Sequence, residues 1–381
     1  IPAAFIRGGT SKGVFFNECD LPKDRMAWDA IFLEVIGAPD PNRRQLNGMG
    51  GGISSLNKVM IVRPSNRTDA DVDYTFAQIA ADQPIVDYSA NCGNLSSAIG
   101  PFAIDEGLID VDDGEPLVRL YNTNTSKIVH ARVPVDNGQT VIAGDFGLQG
   151  VAGTGAKLKL DYLDPGGAGT GKLLPTGRVA ETLDVEGLGK VPVSLVDAAT
   201  PMVFVAANAL GMTATESPIE LDADHSTKAC LESIRCAGAV RMGMANRPKD
   251  TGLASPRIAI CSIPTPFTNL SGETVNAAAQ DITVRVISSG DTHRASPLTS
   301  AMCLAAACQI TGTLPHQLAT TNDGEVRVGG VLAEGGAEAA DALGVVAHRE
   351  APVPLRRPVP EAGVRLDGHL LAEDVEDDAQ R

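Results

Sequence analysis

The 381-residue chain predicts an α+β fold of two similar β-rich domains, each wrapped around its own buried helix. Three observations carry this expectation. The length suffices for two domains with ample core. Glycine (40) and proline (24) are frequent while aromatic residues make up 4%, which favours many turns, short strands and cores of Val, Ile, Leu and Ala. A succession of strands, a short polar turn and a helix rich in Ser and Ala occurs twice, ending in residues 92–104 and again in residues 296–310. Domains are expected over 1–187 and 188–365, followed by an acidic, disordered tail over 366–381.

Taken in order, residues 3–6 read as a strand, residues 7–13 as a tight loop, and residues 14–16 as a second strand. Residues 24–36 form an amphipathic surface helix, stopped by Gly37 and the turns at Pro39 and Pro41. Strands follow over 59–62, 72–80 and 84–88. Residues 94–104 are small and apolar nearly all round, as in a helix sunk in a core. A β-rich pattern broken by Asn and Gly continues over 117–121, 127–135, 140–142 and 158–162. The second domain opens with strands over 191–196 and 202–205, then a helix over 218–238, strands over 257–263 and 281–287, and a second small-residue helix over 301–310.

Chemistry is expected between residues 48 and 100. Lys58 stands where a glycine- and serine-rich loop meets an apolar strand. It reads either as a base whose pKa is lowered by burial or as a lysine snorkelling from a strand end. Cys92 stands at the start of the first buried helix, where free N–H groups favour a thiolate. Its alternative is a small packed hydrophobe. In the loop Arg7-Gly-Gly-Thr-Ser-Lys-Gly13, glycines allow close backbone approach while Thr10, Ser11, Arg7 and Lys12 offer hydroxyls and charge. That suits a carboxylate or phosphate, and equally a polar hairpin turn. Residues 166–172 match the GxxxxGK spacing of a phosphate loop. Leu173 replaces the Ser or Thr that would hold Mg²⁺ and Pro175 interrupts the helix that should follow, so a loop is the better reading.

The net charge of −16 argues against nucleic acid and anionic membranes, but leaves room for a small anionic substrate held by local cations and helix N-termini. Seven scattered cysteines, at 19, 92, 230, 236, 261, 303 and 308, form no CxxC pair and no zinc-ligand spacing. They fit free thiols in a cytoplasmic protein. No basic leader opens the chain, and no apolar stretch is long enough to span a bilayer.

The ordered set Arg7-Gly-Gly-Thr-Ser-Lys-Gly13, Gly48-Met-Gly-Gly51, Ser54-Ser55 with Lys58, Asp71-Val-Asp-Tyr74, Asn91-Cys-Gly-Asn94, Pro101-Phe-Ala-Ile104, Pro175-Thr-Gly177 and Arg241-Met-Gly243 resembles the PrpF-type family. That family includes 2-methylaconitate cis-trans isomerase, 4-oxalomesaconate tautomerase, and methylitaconate and aconitate Δ-isomerases. The resemblance implies a diaminopimelate-epimerase-like fold and a cofactor-free, metal-free isomerase acting on unsaturated di- or tricarboxylates. It implies catalytic roles for Lys58 and Cys92, which lie 34 positions apart. The substrate-binding set expected around them is Arg7, Thr10, Ser11, Gly51, Ser54, Ser55, Asn91, Gly93 and Asn94. His293, Arg294 and Arg241 are expected to hold distal carboxylates, and a homodimer is admissible. Amino-acid epimerases of this fold use one thiol from each domain. Here the second turn carries Ser296-Pro-Leu-Thr299 and Cys303 lies inside the helix, a departure from that pattern.

Overall fold

A computed structural model describes residues 1–148, 150–320 and 326–330, with the backbone of a strand pair, Val346–Ala347 and Leu366–Asp367. Apart from those last two residues, the expected acidic tail lies outside the described residues, as does the expected end of the second domain at 365.

The first half begins with a hairpin of β1 (Ala4–Gly8) and β2 (Ser11–Asn17). Helix α1 (Trp28–Ile36) leads through a glycine-rich loop to β3 (Lys58–Pro64), β4 (Val72–Ile79) and the short β5 (Val86–Asp87). Helices α2 (Gly93–Ser96) and α3 (Ile99–Asp105) follow, then β6 (Leu117–Asn122) and β7 (Lys127–Arg132). Two small hairpins, β8 (Val135–Asp136) with β9 (Gln139–Thr140) and β10 (Phe146–Gly147) with β11 (Thr154–Gly155), precede β12 (Lys159–Tyr162). The sheet runs β1-β2-β3-β4-β6-β7-β12, with β5 on the end of β4.

The second half repeats this plan. It contains β13 (Glu181–Val185), β14 (Gly189–Ala198), β15 (Thr200–Ala206), α4 (Pro218–Ala223), α5 (His225–Arg241) and β16 (Arg257–Ser262). A hairpin of β17 (Phe267–Thr268) and β18 (Thr274–Val275) comes before β19 (Ile282–Ser288) and β20 (Asp291–Thr292). Helix α6 (Leu298–Gln309), α7 (Leu314–Leu318) and β21 (Val328–Gly329) complete it. The sheet runs β13-β14-β15-β16-β19-β20, with β21 beside β19. In both halves an antiparallel pair is followed by a parallel pairing (β2 with β3, β15 with β16) and an antiparallel one (β3 with β4, β16 with β19). Lys58 and Arg257 are therefore equivalent: each is the first residue of its half's third strand in that order.

Strand alternation sorts the helices to opposite faces. On β3 and β4, Met60, Val62, Val72, Tyr74 and Phe76 face α2 and α3, whereas Val59, Ile61, Ala77 and Ile79 face Trp28, Phe32 and Ile36 of α1. On β14 to β16, Val196, Met202, Phe204, Ala259 and Cys261 face α6, whereas Leu195, Val203, Ile258 and Ile260 belong to the cluster with Leu231 and Ile234 of α5. One continuous core holds α2, α3 and α6. Phe15 anchors it, its ring 5.5 Å from that of Phe102. Both are essentially buried, a burial that stabilises by about 1.5–3 kcal/mol for each such side chain.

Two expected helices are each broken. Residues 94–104 divide at Ser97 and Ala98, because Pro101 has no N–H to bond back to Ser97. Hydroxyls there also bond the backbone, Ser96 Oγ to Cys92 O at 3.1 Å and Ser97 Oγ to Asn94 O at 2.7 Å. The helix expected over 218–238 divides at Asp224, whose carboxylate caps α5 by accepting from Ser226 and Thr227 N–H, each at 3.0 Å. Helix α1 ends where expected, at Gly37, whose φ of +77° is the left-handed stop that glycine favours. No helix among the described residues is long and apolar enough to cross a membrane.

Candidate active site

The ends of the two inner helices meet. A Cβ placed on Gly93 would lie 2.6 Å from Thr299 Cγ2 and 3.0 Å from the Tyr162 hydroxyl, so only glycine lets α2 and α6 approach this closely. Around this contact stand the first residues of β3 and β16. Lys58 is 4% exposed and Arg257 5% exposed, and among the described residues neither has a carboxylate partner.

Lys58 Nζ donates to Gln78 Oε1 at 2.7 Å and lies 5.0 Å from the centre of the Phe76 ring. Gln78 is itself fixed, its Nε2 donating to Ser54 O and Asn57 O, each at 3.0 Å. Burial pulls the Lys58 pKa down from the usual 10.5; Cys92, close enough to act as charge and hydrogen-bond partner, pushes it up, and Arg257 pushes it down again. The net direction favours the neutral amine more than in a free lysine. Cys92 occupies the N-cap position of α2 without a side-chain capping bond, and its Sγ donates to Ser11 Oγ at 3.9 Å. Asn94 Nδ2 donates to Thr10 Oγ1 at 2.9 Å and Ser11 Oγ at 3.3 Å, which locks the β1–β2 turn onto the start of α2.

From the other half, Arg257 Nη1 donates to Thr299 Oγ1 at 3.0 Å and Ser300 Oγ at 2.7 Å, while its Nε has no partner. His293 Nε2 is also buried without a partner, and burial together with the Arg257 and Lys58 charges pulls that imidazole well below its usual range. Lys58, Cys92, Arg257 and His293 thus share one enclosed region. A buried charge without a counter-ion is expensive, so two in one place call for an anion from outside.

The other sequence-predicted residues divide by place. Ser54 is buried and Ser55 half-buried in the loop before Lys58; Gly51 is exposed there, its N–H donating to Asn57 Oδ1 at 3.0 Å. Asn91 is occupied by the fold, bonding Tyr74, Ser96 and Asn122. Arg7 is exposed: Ala4 and Ile6 take the core side of β1, and Arg7 shares the opposite side with Phe5. Arg294 is likewise exposed. Arg241, at the end of α5 and so across the sheet from α6, pairs with Glu181. Sequence reading missed Arg257. Its signal was a charged residue opening an apolar strand, as Lys58 does.

The glycine run 166–172 encloses an anion of the protein's own. Gly169 N–H, Thr170 N–H and Thr170 Oγ1 all donate to Asp197 Oδ2, at 2.9, 2.7 and 2.8 Å. Cys303, inside α6, is fully buried, its Sγ 3.5 Å from Val196 O, and burial raises its pKa. Among the described residues no group of three or more His, Cys, Asp or Glu is placed to hold a metal ion.

Comparison with known proteins shows what the chain as a whole is similar to. A family model described as PrpF protein matches residues 1–342. The 2-methyl-aconitate isomerase of Cupriavidus necator is 41% identical over 328 residues, covering 82% of this chain and 83% of that protein. The 4-oxalomesaconate tautomerase of Pseudomonas putida is 38% identical over 330 residues, covering 85% and 84%. The crystal structure of a methylitaconate-delta-isomerase superposes with a TM-score of 0.70 at 35% identity, covering 96% of this chain and 92% of that one. The chain thus shares its α+β architecture with a solved isomerase and its sequence with named isomerases, and it belongs to the PrpF family.

Proposed function

We propose that the protein is a cofactor-independent isomerase that moves a double bond in an unsaturated di- or tricarboxylate, or exchanges its cis and trans forms. The observation that carries this reading is a pair of buried basic side chains, one from each half, with no carboxylate partner among the described residues, in a chain of net charge −16. Arg257 binds one carboxylate through its free Nε face, with the first N–H groups of α6 beside it. Lys58, neutral in the poised state, takes the allylic proton from a carbon conjugated to a carboxylate or keto group.

That step breaks a C–H bond, forms the Nζ–H bond and leaves the electron pair delocalised as a dienolate. The N–H groups of Gly93 and Asn94 and the Thr10–Ser11 turn stabilise the new charge, an effect worth several kcal/mol for well-aimed donors. A proton delivered two carbons away, from the Cys92 thiol or from Lys58 itself, completes the shift. Where Cys92 donates, the contact between the two side chains returns the proton from Nζ to Sγ and resets the site. The relatives' names suggest methylaconitate, methylitaconate and oxalomesaconate as the compounds to try first.

Two further expectations belong to the same reading. Free thiols at all seven positions support a reducing, cytoplasmic setting, and light scattering would test for a homodimer. An amino-acid racemase would need a second thiol facing Cys92, and the burial of Cys303 speaks against it.

The test is a proton-NMR screen of these acids with the parent and Lys58→Ala. Isomer formation by the parent and its loss in the variant are expected. Retention of most of the turnover by Lys58→Ala would show the base to be misassigned, and binding without conversion would mark a non-catalytic polycarboxylate-binding protein.

A further inference from the structure

The two halves repeat the way each cation is held as well as the cation itself. Before Lys58, the loop is fixed at two neighbouring points: Arg43 Nε donates to Gly52 O at 3.0 Å, and Ser54 N–H donates at 3.0 Å to Asp291 of the other half. Before Arg257, Arg235 Nη1 donates to Gly252 O at 2.9 Å and Pro256 O at 3.0 Å, and Ala254 N–H donates at 2.7 Å to Asp87 of the other half. In each loop an arginine thus takes a glycine carbonyl and an aspartate from across the molecule takes the N–H two positions later.

The aspartates are themselves equivalent. Asp87 on β5 pairs with Gln78 at the end of β4, and Asp291 on β20 pairs with Ser288 at the end of β19. Each stands just ahead of its half's inner helix, and both are buried, at 8% and 5% exposure. The halves differ in one respect. Arg43 Nη2 bonds both Asp291 oxygens at 2.7 Å, from a residue whose φ of +52° is unfavourable for arginine, whereas Arg235 pairs with Glu232.

We infer that Asp87 and Asp291 are positioning residues forming a reciprocal clasp, in which each half sets the loop that aims the other half's cation at the substrate. The inference rests on the proposed roles of Lys58 and Arg257. The linkage is short on both sides. From Ser54 it continues through Gln78, which holds Ser54 O and Asn57 O with one end and Lys58 Nζ with the other. From Ala254 it reaches Arg257 within three residues. The two arms therefore have different kinetic consequences. Loosening Asp291 misplaces the base, whereas loosening Asp87 misplaces the carboxylate anchor. A role limited to holding the halves together would disturb both parameters alike.

The experiment compares the full chain with Asp291→Ala, Asp87→Ala, Asp291→Asn and Asp87→Asn. It measures isomerisation kinetics, melting temperature and the rate of iodoacetamide labelling at Cys92, read peptide by peptide. Asp291→Ala is expected to lower kcat about tenfold with little change in KM, and Asp87→Ala to raise KM about tenfold with little change in kcat. Asp291→Asn, whose amide oxygen still accepts from Ser54 N–H, should recover part of the lost kcat. Both alanine variants should label Cys92 several-fold faster than the parent, because loosening either loop opens the enclosed region that holds it.

Alanine variants that change kcat and KM in the same proportion, or that match the parent in kinetics and labelling, would overturn the clasp. If the alanine variants do not fold, the two asparagine variants carry the same comparison of kcat against KM. Lys58→Ala and Arg257→Ala serve as references. Parent-like kinetics in those two would sink the functional reading and the clasp with it, whereas their inactivity beside parent-like clasp variants would sink the clasp alone.

Discussion

Replacing Lys58 by methionine should stabilise the unliganded protein while abolishing its turnover. The amine is buried beside one neutral acceptor, Gln78 Oε1, one aromatic face, Phe76, and the Cys92 thiol, with no carboxylate partner among the described residues. Burying an ion without a counter-charge costs several kcal/mol even after relaxation. Against that, the variant leaves Gln78 Oε1 without its donor, about 1–3 kcal/mol, and loses the ring contact, about 0.5–2 kcal/mol. The net is a gain of roughly 1–3 kcal/mol, which raises the melting temperature by roughly 1–4 °C for a chain of this size.

The sign with pH follows from the lowered pKa. Between the folded pKa and the usual 10.5 the unfolded chain binds the extra proton, so parent stability rises with pH across that window. The advantage of the methionine variant is therefore largest below the window and disappears above it. Scanning calorimetry of both proteins from pH 6 to 10.5, without ligand, reads this directly. A Lys58→Met protein that melts below the parent at neutral pH would show that the amine is adequately paired in the fold, and the argument for an external anion would fail.

Arg257→Ala should raise KM for a polycarboxylate by about two orders of magnitude, because a charged hydrogen-bond pair in an enclosed site is lost, and Arg257→Lys should recover only part of it; steady-state kinetics decides. Gly93→Ala forces a methyl against Thr299 Cγ2 and should cost about 1–3 kcal/mol of stability together with most of the activity, checked by urea unfolding and turnover. Asp197→Ala empties the cradle formed by Gly169 and Thr170 and should destabilise by about 1–3 kcal/mol, while ATP should shift the melting temperature of neither protein.

Much of this architecture is legible in residue order. Lys58 and Cys92 announce themselves by type and setting, and the small-residue runs that become α2, α3 and α6 are visible as runs too apolar for a surface. Arg257 was harder to see, because its role depends on a strand pairing and on the meeting of two helix ends more than two hundred residues apart in the chain. Arg7 shows the opposite error. Its loop suits an anion, yet period-two alternation along β1 puts Ala4 and Ile6 on the core side and Arg7 on the other. Arg241 ends a helix that packs on the face of the sheet away from α6, which no local pattern discloses. The division of the first inner helix could have been read at Pro101. Asp87 and Asp291 carry no sequence signal at all, since each finds its partner in the other half.

The account turns on a proton leaving carbon for the Lys58 amine. Isomerisation of an aconitate-type acid in D₂O, followed by proton NMR with the parent and with Lys58→Ala, measures that transfer. Deuterium entering the allylic position with the parent, and neither exchange nor isomerisation with the variant, is the predicted result; isomerisation at an undiminished rate in Lys58→Ala would contradict it.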